Sequence, residues 1–452
     1  MHAIFILSPR TQASRLGWFL AFLVLLSISL GLSDPVRADS QQKDVIRTLA
    51  WSPDGKLLAS GSENGQISLW DAQGQPVRQF PIQQERVIRI LWSPNNHYLL
   101  SWSTDDRALL WRTDGRLQAV FEGCGWLNDQ AIQWSRDGDL LAVSSKSAPL
   151  QIWTTMAPEY GALLVALGLN EDGDDRNLRL AWSPDGSLLA AGHPYSNIVY
   201  IWDFTNVSYF GIVRKGAEAT GALKATLQDL KQDEEAFVKR LEWSPDSKVL
   251  AIGYLGWTLQ LWPRDKSLQT LTSYSARIEG QYDNVELAWS PDGKLLAFGD
   301  RYVTKDKLVK VRIWSPDGQP VETIEGGDAV IMGLAWSPRQ VLAVAYNVIS
   351  ALDLWSPGQR VRSIAPTFDG FVWGGVPEWS FDGAYLAMHY STVSEGSKIQ
   401  VWAVEGAPVT TLSDGTTDDN LPFAWSPTDN VIAVRGERGE VRLVDVTSLK
   451  SH

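Results

Sequence analysis

Cysteine is almost absent from this chain, which has a single one, Cys124, among 452 residues. No disulfide can therefore form within the chain, and no cysteine stands directly after the N-terminal apolar segment to receive a lipid. The chain also has no Gly-x-Ser-x-Gly sequence, the turn that presents the catalytic serine of many hydrolases. These absences exclude an intrachain disulfide framework and remove the simplest sequence argument for an esterase.

Positive charge is also scarce, because 40 lysines and arginines face 52 aspartates and glutamates, for a formal net charge of −12. Residues 1–38 hold three arginines and one aspartate, so the rest of the chain carries −14. A surface with this balance repels nucleic acid and anionic lipid. We therefore expect no nucleic-acid partner, and contact with a membrane only through the N-terminal segment.

Tryptophan, by contrast, is abundant, and most of the 22 residues recur at two positions of a repeat. The first position opens a Trp-Ser sequence that appears nine times, at spacings of 41 to 61 residues: Trp51, Trp92, Trp134, Trp182, Trp243, Trp289, Trp336, Trp379 and Trp425. The second closes an apolar triplet in the first eight copies, and Val444 replaces it in the ninth: Trp70, Trp111, Trp153, Trp202, Trp262, Trp314, Trp355 and Trp402. Recurrence at this period indicates a repeated structural unit.

The first copy shows what one unit contains. Ser52 to Gly55 has the residues of a tight turn, because proline presets φ, aspartate caps the local amides and glycine tolerates a positive φ. Asn64-Gly65 and Gly74 mark two further turns. Between the turns lie four short apolar or alternating stretches, residues 45–51, 57–60, 67–70 and 77–82. Four antiparallel strands without a helical period predict one blade of a β-propeller, whose two apolar faces are buried by neighbouring blades.

The stretch LLASGSENGQISLWD, residues 57–71, resembles the WD-repeat propeller family, whose blades typically end in such a Trp-Asp pair. The resemblance runs from about Val45 to Asp445 and implies an all-β fold, a single propeller of four-stranded antiparallel blades. Two family features are weak. No Gly-His pair precedes the first strand of any blade, and the aspartate expected six residues before the closing tryptophan survives only as Asp105. We therefore expect the family's buried hydrogen-bond network to be mostly absent, so that tryptophan packing fixes the blades.

The N-terminal segment has the composition of an export signal. Arg10 and Arg15 are the only charged residues among the first 33, and both precede an uncharged apolar run from Leu16 to Leu32. A small-residue site at Ala38 suits cleavage, and the run is also just long enough for one membrane span. We predict residues 1–38 to be a cleaved signal peptide or, alternatively, a membrane anchor. The propeller, residues 39–452, is then exported in either case, to the periplasm or the cell exterior.

The nine Trp-Ser copies predict nine blades closed into one ring. Eight copies are followed by enough chain for a fourth strand, whereas only residues 445–452 follow Val444. The N-terminus offers the missing strand, because Pro35-Val36-Arg37 aligns without gaps on Pro76-Val77-Arg78 of the first blade. Such a strand would cover an open sheet edge. If cleavage after Ala38 removes half of it, residues 446–450 must close the ring instead, or the signal is not removed.

The loops sort onto the two faces of such a ring. Turns between the first and second strands, and between the third and fourth, are mostly short, whereas the opposite face carries longer loops, where binding is usually found. On this loop-rich face we predict an aromatic surface for recognition of a protein or ligand, formed by Trp126, Tyr195, Tyr274, Tyr282, Tyr302, Phe371, Trp373 and Tyr390. The alternative is that these rings cover the blade tops and pack against their own loops.

Two insertions and an acidic stretch interrupt the repeats. Residues 154–169 lengthen one turn, and residues 204–221 form either a docking element or a solvated β-extension. The stretch from Glu171 to Asp175 resembles a calcium loop only loosely, because it lacks regular alternation and a distal glutamate. We expect it to be a solvated loop.

Groups suited to catalysis do not converge in this arrangement. His193 and His389 fall in blades four and eight, nearly opposite each other on a nine-blade ring, so we expect no histidine pair to share a metal or a proton. Arg89, Arg179 and Arg240 share the position three residues before the motif tryptophan. They form either an anion-attracting rim of the central channel or ion pairs between blades.

Two functional hypotheses follow. The first is an exported scaffold that binds a protein partner and has neither catalytic activity nor a cofactor. The alternative is a propeller enzyme or small-ligand binder with its site at the mouth of the channel, using carboxylates such as Glu286, Asp300 and Asp306.

The closing strand can be tested by truncation. We predict that residues 35–41 pair with the third strand of the last blade, at residues 440–444. Deletion of residues 1–40 should then give a less stable protein, in a denaturant titration, than deletion of residues 1–32 alone. The account of the closing strand fails if mass spectrometry of the exported protein finds a chain beginning at Asp39 that is no less stable than the longer form.

Overall fold

The computed structural model describes residues 44–124, 130–155, 162–167, 178–205, 222–228, 237–255, 258–264, 266–272, 285–300, 310–325, 331–346, 352–359, 362–365, 372–392, 396–415, 421–437 and 440–449. The chain divides into two compact units, residues 1–43 and 44–452, and every described residue belongs to the second. The predicted signal or anchor segment lies outside the described residues. Within the described part, no helix has the length and apolarity that a membrane span needs.

The first three Trp-Ser copies each form a separate antiparallel sheet of four strands, in sequential order. Blade 1 contains β1 (Ile46–Trp51), β2 (Leu57–Ser62), β3 (Ile67–Asp71) and β4 (Pro76–Gln79). Blade 2 contains β5 (Val87–Trp92), β6 (Tyr98–Ser103), β7 (Arg107–Arg112) and β8 (Leu117–Glu122). Blade 3 contains β9 (Ile132–Trp134), β10 (Leu140–Val143), β11 (Leu150–Thr154) and β12 (Ala162–Leu167). The last of these strands lies inside the stretch of residues 154–169 that the sequence marks as an insertion.

The middle three copies repeat the same sheet. Blade 4 contains β13 (Arg179–Trp182), β14 (Leu188–Gly192), β15 (Val199–Asp203) and β16 (Ala222–Leu227). Blade 5 contains β17 (Val238–Trp243), β18 (Val249–Tyr254), β19 (Thr258–Pro263) and β20 (Gln269–Thr272). Blade 6 contains β21 (Val285–Trp289), β22 (Leu296–Asp300), β23 (Lys310–Trp314) and β24 (Pro320–Glu325).

The last three copies vary the sheet at its edges. Blade 7 contains β25 (Ile331–Trp336), β26 (Leu342–Tyr346), β27 (Leu352–Trp355) and β28 (Arg362–Ile364). In blade 8 the first strand is split into β29 (Val372–Gly374) and β30 (Glu378–Trp379), followed by β31 (Tyr385–Thr392), β32 (Gly396–Ala403) and β33 (Pro408–Leu412). Blade 9 shows β34 (Phe423–Trp425), β35 (Val431–Arg435) and β36 (Val441–Asp445). The nine sheets confirm the predicted nine-blade, all-β propeller.

The Trp-Ser turns owe their shape to one serine and one aspartate. In blade 1 the Ser52 hydroxyl donates to Asp54 Oδ1 (2.7 Å) and accepts from the Leu57 N–H (2.9 Å). The same aspartate oxygen accepts from the Lys56 N–H (3.2 Å). One carboxylate is therefore hydrogen-bonded to residues on both sides of it in the turn. Gly55 supplies the positive φ, of 69°, that the turn requires.

Four of the nine turns have another residue in place of this glycine, and two of these four gain a bond between blades. Asn96 and Ser247 take the glycine position with φ of 63° and 62°, a conformation that costs a non-glycine residue about 1 kcal/mol or more. The Asn96 side chain accepts from the Asp54 N–H (3.1 Å), and the Ser247 hydroxyl accepts from the Asp185 N–H (2.9 Å). Each strained residue thus hydrogen-bonds the turn of the preceding blade.

The motif tryptophans join neighbouring blades by a recurring hydrogen bond. In eight of the nine copies the indole Nε1–H donates to a backbone carbonyl of the preceding blade. The acceptor is always the residue that directly precedes the motif tryptophan of that preceding blade. The pairs and their N···O distances are Trp51–Ala424 (3.2 Å), Trp92–Ala50 (2.9 Å), Trp182–Gln133 (3.3 Å), Trp243–Ala181 (3.1 Å), Trp289–Glu242 (3.2 Å), Trp336–Ala288 (3.0 Å), Trp379–Ala335 (3.0 Å) and Trp425–Glu378 (3.1 Å). We call this set the indole ring.

Trp134 is the exception. Its buried Nε1 has no hydrogen-bond partner among the described residues, so the indole ring is interrupted between blades 2 and 3. Van der Waals packing replaces the bond there, because Trp134 lies against Tyr98 with ring centroids 6.4 Å apart. The same seam is filled by the buried side chains of Phe121 and Cys124.

Blade 9 is fastened to blade 1 by an ion pair as well as by the indole of Trp51. Arg435, at the end of β35, contacts Asp414 through Nε (2.6 Å) and Nη2 (2.5 Å), and both side chains are almost fully buried. The Nη1 of Arg435 donates to the carbonyl of Ile46 in β1 (3.1 Å). A buried guanidinium needs such partners to offset its loss of hydration. The described residues therefore show direct closure of the ring from its last blade to its first.

The fourth strand of blade 9 does not come from the C-terminus in the described part of the chain. After β36 the chain turns into a short 3₁₀ helix, Val446–Ser448, capped by the Asp445 side chain. The expectation that residues 446–450 could pair as a strand is wrong for residues 446–448, which form this helix. The alternative closing strand, residues 35–41, lies outside the described residues and stays a prediction.

The hydrogen-bond network inside the blades is reduced, as the missing Gly-His pairs predict. Two blades retain a serine partner for the closing tryptophan: Trp70 donates to Ser60 Oγ and Trp111 to Ser101 Oγ, both at 2.9 Å. By contrast, Nε1 of Trp314 and of Trp355 is buried without a partner among the described residues.

The contribution of the indole bond can be measured with two matched substitutions. Trp336 and Trp134 are both half-buried motif tryptophans, but only Trp336 donates its indole N–H. Trp336→Phe should therefore lower the free energy of unfolding by about 1 kcal/mol more than Trp134→Phe, the usual value of one hydrogen bond. Urea denaturation of the two variants measures this difference. Equal losses would mean that the tryptophans act by packing alone.

Candidate functional site

One part of the predicted aromatic surface is well described and lies on the loop-rich face. Tyr195, in the turn between β14 and β15, is 64% exposed. Its ring meets His193 and Phe237 edge to face, with centroid distances of 6.1 Å and 6.5 Å and interplanar angles of 70° and 74°. We call these three residues the aromatic patch. It spans the junction of blades 4 and 5, because Phe237 directly precedes β17.

The backbone beneath the patch is held by one hydrogen bond between the two blades and one within blade 5. The Val238 N–H donates to the carbonyl of Ser196 (3.2 Å), and the Leu255 N–H donates to the carbonyl of Phe237 (2.8 Å). The turn of blade 4 is also fixed internally, because the Tyr195 N–H donates to Nδ1 of His193 (3.2 Å). The exposed tyrosine therefore stands on an ordered support, which reduces the entropy lost when a partner binds.

Tyr390 does not belong to an exposed surface, contrary to the expectation from the sequence. Its side chain is fully buried and meets Trp402 edge to face at 6.0 Å. The reason is the length of β31, which continues as a strand where a loop was expected and pairs Tyr390 with Lys398. Burial raises the pKa of the Tyr390 hydroxyl.

Of the other predicted aromatic residues, one lies in a strand and the rest lie outside the described residues. Trp373 lies in β29, where it pairs with Ser391. Five residues lie outside the described residues: Trp126, Tyr274, Tyr282, Tyr302 and Phe371. The same holds for residues 206–221, which contain most of the predicted docking element, and for the acidic stretch of residues 171–175.

The predicted channel arginines lie on the first strands of their blades, which are the inner edges of the sheets. Arg89, Arg179 and Arg240 are each half-buried, in β5, β13 and β17. Glu286 has the equivalent position in β21 and is also half-buried. Of the other predicted channel carboxylates, Asp300 ends β22 opposite Val285, and Asp306 lies outside the described residues.

Glu242 is a functional group of this inner surface that sequence reasoning missed. Its Oε1 accepts from the Trp289 N–H (3.1 Å), and its own carbonyl accepts from the Trp289 indole. Burial raises the pKa of the Glu242 carboxyl to about 7, although the Trp289 N–H and the charge of Arg240 oppose the shift. The charge of Glu286 adds to it. The titratable carboxyl of Glu242 thus bonds the same tryptophan, Trp289, whose indole donates to the Glu242 carbonyl.

Glu378 has the corresponding position in blade 8, just before its motif tryptophan, and its surroundings differ. Burial among neighbouring atoms raises the pKa of its carboxyl to about 7. The residue as a whole is nevertheless exposed to water, unlike Glu242. Water contact stabilises a charged carboxylate, so we expect Glu378 to influence stability less than the half-buried Glu242 does.

Gln130 covers part of the inner edge. Its carbonyl accepts from the Leu180 N–H in β13 (2.9 Å), and its side-chain amide exchanges two bonds with the backbone of Leu241 in β17 (2.8 and 3.3 Å). One residue that precedes β9 therefore satisfies edge groups of blades 4 and 5. No motif in the sequence indicates this contact.

The histidines occupy separate sites. His193 belongs to the aromatic patch in blade 4. His389, in β31 of blade 8, lies 3.0 Å from Ser397 Oγ through Nε2, which also accepts from the Leu421 N–H (3.3 Å). Burial and the nearby charge of Arg435 lower the pKa of His389. The described residues contain no group of three or more His, Cys, Asp or Glu side chains able to hold a metal ion.

Comparison with known proteins agrees with this architecture. Residues 10–95 match the model of the anaphase-promoting complex subunit 4 WD40 domain, and residues 177–203 match that of the WD domain, G-beta repeat. These two parts of the chain resemble WD-repeat models, and the fold is that of a WD-repeat β-propeller. The second match includes the turn that carries His193 and Tyr195, and it ends at the Trp-Asp pair of β15 in this WD-repeat propeller.

Two solved structures share the fold of this WD-repeat propeller. The C-terminal WD40 domain of Sif2 is 16% identical with a TM-score of 0.54, and the match covers 80% of this chain and 96% of that one. A structure described as the eukaryotic initiation factor is 17% identical with a TM-score of 0.54, covering 81% of this chain and 87% of that one. At these identities the likeness concerns the fold alone.

The raised pKa of Glu242 predicts that stability falls as the pH rises. The carboxyl binds its proton more tightly in the folded state, with a pKa of about 7 against an ordinary 4.5, so its contribution is complete below pH 4.5 and is lost as the pH rises through 7. Glu242→Gln keeps an acceptor oxygen and removes the charge. It should be more stable than the unmodified chain at pH 8, by about 1–3 kcal/mol, and similar at pH 5.

Urea titrations at the two pH values measure this effect, with Glu322→Gln, at an exposed position in β24, as the control. The assignment to Glu242 fails if both variants show the pH dependence of the unmodified chain.

Proposed function

We propose that this propeller is an exported, non-enzymatic scaffold that binds a protein partner through the loop-rich face, at the aromatic patch. The observation that carries the proposal is an exposed tyrosine held on a hydrogen-bonded support at a junction of two blades. Tyrosine is enriched among the residues that dominate binding energy at protein interfaces. WD-repeat propellers generally act as protein-interaction scaffolds, and the proposal assigns that role to one place on this one.

The inner surface supports the same proposal. Glu242 bonds the adjoining blade, and Gln130 occupies edge groups of β13 and β17. These polar groups are used to hold blades together, whereas catalysis needs groups that converge on a free position next to a substrate. The aromatic patch, by contrast, leaves most of the Tyr195 side chain available to a partner.

Export is supported by the composition of residues 1–38, with two arginines before a long uncharged apolar run. Export can be tested separately from binding, by looking for the chain in the exported fraction of the cells. The mass spectrometry of the mature N-terminus uses the same fraction.

Site-specific photo-crosslinking tests the binding site. A photoreactive phenylalanine analogue is placed at position 195 and, as a control, at position 381, an aromatic residue that is 43% exposed in a short turn of the opposite face. We expect one discrete adduct at position 195 in the native host and none at 381. Excess unmodified propeller should compete for this adduct, whereas the Tyr195→Ala variant should not. Adducts at both positions, or competition by both proteins, would contradict the proposed site.

A further inference from the structure

The segment that leads from blade 8 into blade 9 is held by a histidine. Leu421, two residues before β34, is buried in an apolar cluster that blades 8 and 9 share. Its N–H donates to Nε2 of His389 in β31 (3.3 Å), and the same nitrogen lies 3.0 Å from the hydroxyl of the buried Ser397 in β32. One imidazole nitrogen of blade 8 therefore fixes the entry of the chain into blade 9.

This hydrogen bond requires an unprotonated nitrogen. Nε2 accepts the Leu421 N–H only in the neutral imidazole, because both ring nitrogens of the cation are donors. Protonation places an N–H of His389 against the N–H of Leu421, which loses its acceptor inside the fold, and a buried N–H without an acceptor is destabilising. The hydroxyl of Ser397 can rotate and accept from the cation, so the conflict lies with Leu421.

A positive charge already lies beside this histidine. Arg435 on β35 is almost fully buried, and its charge opposes the protonation of His389. Asp414 is bonded to the guanidinium through two nitrogens, so this carboxylate is already engaged by Arg435. Burial and the charge of Arg435 together lower the pKa of His389 below its ordinary 6.5. The same Arg435 donates to the carbonyl of Ile46, the contact that joins blade 9 to blade 1.

Other charged groups of this region differ from His389 in position or in sign. Lys398 follows Ser397 in β32, and its side chain points to the other face of the sheet because strand neighbours alternate. Glu437, just beyond β35, is exposed to water. The carbonyl of Glu378 accepts the indole of Trp425 in blade 9, and the pKa of the Glu378 carboxyl is raised. Its contribution to stability is therefore lost as the pH rises, the reverse of what we expect for His389.

From this geometry we infer that His389 is a pH-sensitive switch, whose protonation releases the segment ahead of β34 and opens the ring between blades 8 and 9 in acid. Histidine is suited to this role because it changes charge in mildly acidic solution. The stability that neutral His389 contributes is complete above pH 6.5 and is lost as the pH falls through its lowered pKa. The switch is separate from the aromatic patch, and its test is independent of the proposed binding site.

Hydrogen exchange of the full chain, followed by mass spectrometry between pH 7.5 and 4.5, tests the inference. Protection is expressed relative to unstructured peptides of the same sequences at each pH, which removes the pH dependence of the exchange chemistry. Between pH 7 and 5, amides of residues 421–425 should lose protection by about three- to tenfold more than those of β17, because opening is local.

Two substitutions assign the effect. His389→Gln keeps a side-chain acceptor for the Leu421 N–H and does not titrate in this range, so the selective loss of protection should disappear. His97→Gln is the matched control, because His97 is exposed in the short turn before β6. This control should retain the selective loss. Thermal unfolding at pH 7.5 checks that both variants are folded.

The outcomes decide the inference in each case. Equal selective loss in His389→Gln and in the unmodified chain would overturn it. So would an unmodified chain in which residues 421–425 and β17 keep a constant ratio of protection at every pH. If His389→Gln does not fold, the unmodified chain decides: a selective loss with its midpoint below pH 6.5 supports the inference, and a midpoint at or above 6.5 rejects it.

Discussion

The structure depends on one recurring hydrogen bond, from the indole of a motif tryptophan to a backbone carbonyl of the preceding blade. A blade is a small sheet with two apolar faces, and it gains stability when a neighbour covers them. The motif tryptophans supply the covering surface, but burial of an indole N–H without an acceptor costs about 1–3 kcal/mol. A carbonyl oxygen has two lone pairs, so it can accept the indole as well as its sheet partner. At eight seams between blades, the same tryptophan therefore covers an apolar face and has its indole N–H hydrogen-bonded.

Several other features follow from these seams. Because the seams hold the blades in fixed positions, a turn of blade 4 and the approach to blade 5 can share one support, on which Tyr195 is exposed. Charged groups at the seams are used within the fold: Glu242 accepts from the neighbouring strand, and Arg435 joins the last blade to the first. The proposed binding site lies instead on the loop-rich face, at the aromatic patch.

The sequence predicts the blades well because their signals are local. A Trp-Ser turn, with the hydrogen bonds of its serine and aspartate, forms within six residues. The number of its copies, nine, equals the number of sheets. The acceptor of each indole, and the contact of Gln130 with Leu241 across 111 residues, depend on how distant blades meet, so no spacing reveals them. Tyr390 was misplaced because strand length is set by pairing with β32. Tyr195 was predicted on the loop-rich face from its place between the second and third strands of its blade, and it is exposed there.

Native-state hydrogen exchange, followed by mass spectrometry of peptides from the full chain, tests the central claim that the indole ring and the Arg435 contacts close the propeller. A closed ring unfolds as a unit, so amides of β1 and β34 should lose protection at the same denaturant concentration as those of β17, in the middle of the chain. If blades 1 and 9 open at clearly lower denaturant while the middle blades stay protected, the blades form an open array and the account is wrong.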